Sequence, residues 1–416
     1  MSFRLLNMSI RATSMLSKFL LLVYLAKLLP TADLGIYGLL VASIGFAVLF
    51  LGFDYYTYSN RELLSVSKDE WSSVIVNQIY AYLPLYIIFI PIAFLLYFYD
   101  VLPNGYFIWF LLLLLLEHIS IEQNRLLNTM QKQLSASFVL FFRSGLWVLF
   151  VMPLIIYIEK FRTLEVILNA WLLGVLFSVV FATVIIKKSI NNWNFSSLSF
   201  SWIKKGYKVG VLFIVGTIAL RAISTGDRFF LEQWSNVEMV GVYVFYTSLT
   251  VGASAFIHAG VIVFSTPKII TAYQQDKLME FELLMNKFFK ELIFSIIIML
   301  TVLYLVMPFV IEWIGKGLYL EYYDVFYIAL ITVGVTVLSS HPGTYLYAAR
   351  RDIYILLLNI SSLIVFILLL WFFYFNYLEL PALYRVSFSV ALTLIFLLVA
   401  KYFGYFYFRK KMESKA

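Results

Sequence analysis

Phe107-Ile108-Trp109-Phe110-Leu111-Leu112-Leu113-Leu114-Leu115-Leu116-Glu117-His118-Ile119-Ser120 is a leucine-rich run with one carboxylate set into it. With its flanks it makes an apolar stretch over 106–127, about the ~20 residues an α-helix needs to cross ~30 Å of hydrocarbon. Eleven more such stretches fill the chain, over 9–29, 34–53, 74–98, 137–157, 164–186, 206–230, 238–262, 289–312, 323–346, 353–375 and 381–407. Only short charged connections separate them, with no room for a soluble domain. The fold class is therefore an all-α polytopic membrane protein with twelve spans. Its work is restricted to moving, sensing or modifying something within a bilayer. The first stretch reads as a retained span, because its apolar core is too long for a cleaved signal and no small-residue cleavage site follows.

Composition agrees. Hydrophobic residues are 62% of the 416 and charged residues 13%, and mean hydropathy is +0.91, far from a soluble profile. Aromatic runs such as Tyr97-Phe98-Tyr99 and Tyr402-Phe403-Gly404-Tyr405-Phe406-Tyr407 fall near span ends, where rings settle at headgroup level. The absence of cysteine excludes disulfides, thiolate metal sites and thiol catalysis. His118, His258 and His341 are scattered, so no metal cluster is expected. Nothing resembles a phosphate loop with GK[ST], a zinc helix or a hydrolase elbow. The chain is read as a non-enzyme without a cofactor, and its net charge of +8 as a matter of topology rather than nucleic-acid binding.

Sorting the 31 Lys and Arg by side places 21 in the segments that share a side with the N-terminus. The other side holds five (Lys160, Arg162, Arg228, Lys316 and Arg385), and five more (Lys18, Lys27, Arg143, Arg221 and Lys401) lie within spans. The positive-inside rule then puts both termini in the cytoplasm and makes the number of spans even. The longest polar connections fall at about 187–205 and 264–288. The first, broken by Asn191-Asn192-Trp193-Asn194-Phe195-Ser196-Ser197, divides six spans from six, giving an N-terminal lobe 1–195 and a C-terminal lobe 196–416. Ala32-Asp33-Leu34-Gly35-Ile36-Tyr37 and Glu238-Met239-Val240-Gly241-Val242-Tyr243 open the second and eighth spans with the same acid, Gly and Tyr frame. A parallel 6+6 repeat of this kind would place a substrate path between the halves near the midplane.

Charges within the spans carry the mechanistic content, since a cation at a helix centre costs about 2.5–3.5 kcal/mol on insertion scales and normally faces protein or a wet cavity. Asn7, Arg11, Ser14 and Lys18 follow one another at +4, +3 and +4, as do Thr217, Arg221, Ser224 and Arg228. Both sets form one-sided polar stripes on the opening helices of the two halves. Arg11, Lys18, Arg143, Arg221 and Arg228 are candidates for a basic cavity. Arg11 and Arg228 are alternatively end residues that reach the headgroups, as Lys27 and Lys401 are read to be. Glu117, halfway along its span, must be paired, hydrated or protonated. It reads either as an H⁺ or Na⁺ coupling group or as a structural partner. Asp227 reads as a local partner for an adjacent arginine or as a coupling group. Pro84, Pro91, Pro153, Pro308 and Pro342-Gly343 mark positions where spans can bend.

Leu34-Gly35-Ile36-Tyr37-Gly38-Leu39-Leu40, with Leu51-Gly52-Phe53-Asp54 and Asn60-Arg61-Glu62-Leu63, resembles the opening of polysaccharide-biosynthesis flippases. Gly226-Asp227-Arg228-Phe229-Phe230-Leu231 with Gly241-Val242-Tyr243, and Gly343-Thr344-Tyr345-Leu346-Tyr347-Ala348-Ala349-Arg350, extend that resemblance along most of the chain. These landmarks are similar to Wzx-type O-antigen and capsule transporters of the multidrug/oligosaccharidyl-lipid/polysaccharide exporter superfamily. The resemblance implies a bacterial inner-membrane protein of twelve helices in two lobes. It would move an undecaprenyl-pyrophosphate-linked oligosaccharide to the periplasmic leaflet by alternating access, with an H⁺ or Na⁺ counter-ion. The polymerase and chain-length proteins of the same pathway are the implied protein partners. Guanidinium groups suit a pyrophosphate, so Arg11, Lys18, Arg221 and Arg228 would shelter the headgroup while the isoprenoid tail stays in lipid. A lipid II flippase would share that basic cavity. A drug/cation antiporter would want carboxylates instead, and a membrane glycan polymerase a large periplasmic loop.

Overall fold

The computed structural model describes residues 3–99, 105–190, 193 and 198–413. Residues 191, 192 and 194–197 of the central connection, and Lys415 in the tail, lie outside the described residues. Helices dominate, and no strand occurs among the described residues. Hydrocarbon explains this, because a spanning backbone must satisfy its own N–H and C=O groups. In order they are α1 Phe3–Leu28, α2 Thr31–Gly52, α3 Tyr56–Ser65, α4 Trp71–Phe98, α5 Phe107–Thr129, α6 Gln133–Phe141, α7 Trp147–Tyr157 and α8 Leu164–Lys188. There follow α9 Phe200–Trp234, α10 Val237–Ile257, α11 Val263–Gln274, α12 Leu278–Ile314, α13 Gly317–Glu321, α14 Asp324–Leu338, α15 Ser340–Ala348, α16 Asp352–Asn376 and α17 Ala382–Glu413. Among the described residues, 11 helices are long and apolar enough to cross a membrane, and 12 spans result when the halves of α9, bent by 45°, count as one.

One expectation about boundaries is corrected. The supposed polar connection at 264–288 is helical almost throughout: α11 and α12 meet in a turn at 275–277. The polar residues there form the wet face of an amphipathic extension. Phe281, Met285, Phe288 and Leu292 are buried along one stripe, while Lys287 and Lys290 are exposed. The tenth span, Asp324–Ala348, is interrupted at Ser339 alone, beside the Pro342-Gly343 position at which the sequence allows a bend. Pro342 then occupies the first turn of α15, where a missing N–H costs nothing. Pro84, Pro91, Pro153 and Pro308 are held inside their helices.

The chain parts into two compact units, Met1–Ile218 and Ala219–Ala416. In the first unit α5 and α8 run side by side in the same direction. Trp109 Nε1 donates to Asn169 Oδ1 (2.9 Å), Ser120 Oγ meets Ser178 Oγ (2.8 Å), and Gln123 Nε2 donates to Thr183 Oγ1 (2.8 Å). The nearly constant sequence offset of these pairs is what parallel helices require. Leu126, Leu127, Val139, Ala182 and Ile186 pack together at one end. The end of α2 is unwound: Phe53 (φ 50°) and Asp54 (φ 46°) both adopt left-handed backbone, unusual for any residue and costly for a bulky one. The first part of α9 packs over this break through Gly206 and Gly210. A Cβ on Gly206 would strike the Tyr55 ring, and one on Gly210 the Phe53 carbonyl. Asp54 accepts a hydrogen bond from Thr217 Oγ1 at 3.0 Å, and Tyr207 donates to the Ala81 carbonyl. Between the spans, burial pushes the Tyr55 and Tyr58 phenols up, and both stay neutral.

In the second unit α16 and α17 form a long hairpin, and α14 packs against α10 and α17. Phe245, Tyr246, Tyr319 and Phe326 are fully buried there. Tyr246 donates to the Tyr319 carbonyl at 2.6 Å. Arg409 closes the wet end by an ion pair of 2.8 Å to Glu282.

Candidate functional site

The polar stripe of α1 lies along the fifth span. Arg11, exposed, donates from Nε to Ser137 Oγ (2.9 Å), and Ser137 in turn donates to Asn7. Ser14 is buried, and a Cβ on Gly145 would meet the Ser14 Cα at 3.0 Å. One turn further on, Lys18 is exposed and lies within the electrostatic reach of Arg143 and Glu117. Stripe spacing alone identified this face. What it faces was not legible, because the partners come from residues about a hundred positions away or more.

Arg143 is placed by a π turn, Phe142–Leu146, that interrupts the fifth span between α6 and α7. Such one-turn widenings re-aim side chains inside membrane and soluble helices alike. From there the Arg143 Nε lies 3.6 Å from Glu117 Oε2. The other carboxylate oxygen accepts the Trp171 indole N–H at 2.7 Å. Trp171 is held in turn by Tyr37, ring to ring at 6.0 Å. Glu117, 12% exposed, is thus paired as its depth demanded, to a guanidinium that is 18% exposed. The structure brings Lys18, Arg143 and Glu117 together. Their charges sum to one positive.

A second polar cluster one turn along α5 escaped sequence reasoning. Glu122 accepts from Tyr82 OH (2.6 Å), Gln78 Nε2 (3.3 Å) and Arg125 Nη1 (2.6 Å). The Arg125 guanidinium lies over the Tyr56 ring at 3.6 Å. Beside it His118, buried, shares a 2.6 Å hydrogen bond between Nδ1 and Tyr86 OH. Gly52 leaves room for that ring, since a Cβ there would meet His118 Nε2 at 3.3 Å. The available signal was the Glu122-x-x-Arg125 pair, whose spacing joins charges on one helix face. Three other helices complete the cluster, and only the fold assembles them.

In the second unit Arg221 is exposed and has no ion pair among the described residues. Ser224, also exposed, turns its hydroxyl back to the Arg221 carbonyl (3.3 Å). Arg228 is half-buried. Asp227 is buried and doubly satisfied, accepting the Arg228 backbone N–H (2.7 Å) and the Tyr243 hydroxyl (2.7 Å). It is fixed locally, and Tyr243 belongs to the Gly241-Val242-Tyr243 frame of α10. Lys401, read as an end residue reaching the headgroups, is half-buried and donates to Ser339 Oγ at 3.4 Å. His341 is buried against Phe289 and Tyr405 at ring distances of 5.1 and 5.3 Å. No group of three or more His, Asp or Glu suited to a metal ion occurs among the described residues.

Each unit thus offers exposed cations, Arg11 and Lys18 in the first and Arg221 in the second, beside carboxylates that are already engaged. Solved structures reproduce the whole chain path. An inward-facing multidrug-resistance MATE family transporter of the MOP superfamily matches with TM-score 0.75 at 15% identity, over 99% of this chain and 98% of that one. The lipid II flippase MurJ, in its inward closed conformation, matches with TM-score 0.72 at 15% identity, over 96% and 87%. A MOP-superfamily transporter from Pyrococcus furiosus Vc1, in which reverse polarity of the binding pocket suggests a different function, matches with TM-score 0.64 at 17% identity, over 98% and 93%. No curated protein sequence matches the chain. The family model for polysaccharide biosynthesis proteins matches residues 5–264. With more than half of its length matched and its helices arranged as in these transporters, the chain belongs to the polysaccharide biosynthesis protein family.

Proposed function

We propose that this protein is a flippase for undecaprenyl-pyrophosphate-linked oligosaccharide repeat units of an O-antigen, capsule or related polysaccharide. It carries them from the cytoplasmic to the periplasmic leaflet of a bacterial inner membrane by alternating access, both termini being cytoplasmic. The observation that carries this reading is the charge balance within the spans. A pyrophosphate needs cations not already paired with carboxylates, and Arg11, Lys18 and Arg221 are exposed and make no ion pair among the described residues. A cationic drug needs a free carboxylate, whereas Glu117, Glu122 and Asp227 each accept at least two hydrogen bonds or ion pairs. Arg143 and Arg228 complete the basic set, which takes its substrate as a headgroup while the tail remains in lipid. Glu117 and Asp227 are the positions through which an H⁺ or Na⁺ cycle would act, because their partners must be exchanged if either carboxylate is to be freed. A lipid II flippase is the alternative, favoured by the fold shared with MurJ. Polymerase and chain-length proteins of the pathway would receive the flipped unit.

The test is the sidedness of the lipid-linked intermediate in a strain lacking this protein. Complete repeat units should accumulate on the cytoplasmic leaflet while surface polysaccharide disappears. Arrested peptidoglycan precursor instead would assign the protein to lipid II. Truncated repeat units, or complete units facing the periplasm, would refute flipping as its role.

A further inference from the structure

The turn that joins α11 to α12 opens a groove in the second unit. It consists of two adjoining cavities of about 350 and 410 Å³ that share Lys268 and Leu284. Along α12 the groove runs from Glu280 to Ser295, about 22 Å at the helical rise. Its two ends differ in chemistry. Near the turn it is lined by Lys268, Lys277 and Glu280, all exposed. Toward the middle of the span it is lined by Gly260, Val261, Phe264 and Phe294, with Phe264 51% and Phe294 67% exposed, and by the Lys287 and Glu291 pair. A π turn, His258–Ile262, supplies that apolar wall. The length, with lysines near the turn and two exposed phenylalanines further along, suits a lipid molecule standing in one leaflet.

Charge decides which lipid. Lys277 is 3.9 Å from Glu280, and Lys287 is 3.8 Å from Glu291. Glu291 is also held by Ser265 across the groove at 3.5 Å. Lys268 has no carboxylate within 4 Å among the described residues. The groove therefore presents one uncompensated positive charge. A phosphodiester carries one negative charge and neutralises it. A pyrophosphate would bring surplus negative charge toward Glu280 and Glu291. A zwitterionic headgroup would bring an ammonium toward three lysines.

We propose that this groove is a binding site for an anionic glycerophospholipid, with its phosphodiester at Lys268 and an acyl chain along Phe264 and Phe294. Its lining includes none of the cations assigned to the transported headgroup. By the positive-inside distribution it lies in the cytoplasmic leaflet.

The experiment uses the full-length protein, stripped of lipid in detergent, with phosphatidylglycerol, phosphatidylcholine and undecaprenyl pyrophosphate titrated separately and occupancy read by native mass spectrometry. Phosphatidylglycerol should bind at least about fivefold tighter than phosphatidylcholine, the factor expected from one basic side chain at an anionic headgroup. Lys268→Gln should weaken phosphatidylglycerol about fivefold and Lys268→Glu about twenty-five-fold, leaving phosphatidylcholine unchanged. Equal binding of the two phospholipids by the unaltered protein overturns the proposal, as does undiminished phosphatidylglycerol binding by Lys268→Glu. Lys268-dependent binding of undecaprenyl pyrophosphate in preference to phosphatidylglycerol also overturns it, and makes the groove a carrier site. Should Lys268→Glu not accumulate, Val261→Trp fills the apolar end, and unaltered phosphatidylglycerol binding by that variant counts equally against the site.

Discussion

Replacing Glu117 by Gln preserves shape and removes one charge from a pair whose other member stays within the membrane. At 3.6 Å and an effective dielectric constant near 20, the attraction to Arg143 is about 4–5 kcal/mol before desolvation is subtracted. Desolvation of two ions offsets much of that. Only the imbalance left after a single substitution is felt in full. Gln also turns the charge-assisted bond from Trp171 (2.7 Å) into a neutral one, a loss of about 1 kcal/mol. Glu117→Gln is therefore expected to destabilise the protein by about 2–3 kcal/mol. In a unit of some 150–250 residues this lowers the unfolding temperature by about 5–10 °C. The same reasoning requires rescue: Arg143→Gln on the Glu117→Gln background should recover most of the loss, because no charge is then stranded. Thermal unfolding of detergent-purified single and double variants measures this directly. Additive losses in the double variant would show that the two groups do not act as a pair. An unchanged midpoint in Glu117→Gln would show that the carboxylate is already neutral or hydrated.

Three further outcomes follow from the same geometry. Lys18→Ala with Arg221→Ala should impair flipping at least tenfold in reconstituted vesicles with normal membrane levels, and full activity would remove both from the headgroup site. Gly210→Ala should cost about 1–3 kcal/mol, because its new methyl meets the Phe53 carbonyl. Gly45→Ala, where a Cβ meets nothing within 4 Å, should be neutral or stabilising in the same unfolding assay. Reporter fusions after Lys188 and after Arg409 should both give cytoplasmic signals, and a periplasmic signal at either would overturn the topology drawn from the cations.

Much of the architecture was legible because crossing a bilayer imposes a length and a composition that few other structures share. The leucines of 111–116 could be little else. Where the rule is relaxed, sequence reading slipped. The stretch 277–288 combines Lys277, Glu280 and Lys287 with Phe281, Met285 and Phe288. Its charge density reads as a polar connection, although the buried residues recur at helical spacing. The cations of the site were visible as stripes, since spacing within one helix is a local property. Their partners were not: Arg143 and Trp171 reach Glu117 from other spans. Glu122 was passed over because it stands near a span end, where a carboxylate needs no explanation until Tyr82 and Gln78 are seen to enclose it.

The π turns at Phe142–Leu146 and His258–Ile262 have a consequence for how this chain lines up with its relatives. A π turn holds one residue more than the α turn it replaces. Deleting a single residue from either segment should restore an ordinary turn while leaving the flanking helices near their original neighbours. The same deletion in the uninterrupted α8 would rotate everything beyond it by about 100° and turn its packed face outward. Length differences among homologues are therefore expected to hide inside these two spans, in the middle of the membrane, where an alignment guided by loops would not place a gap.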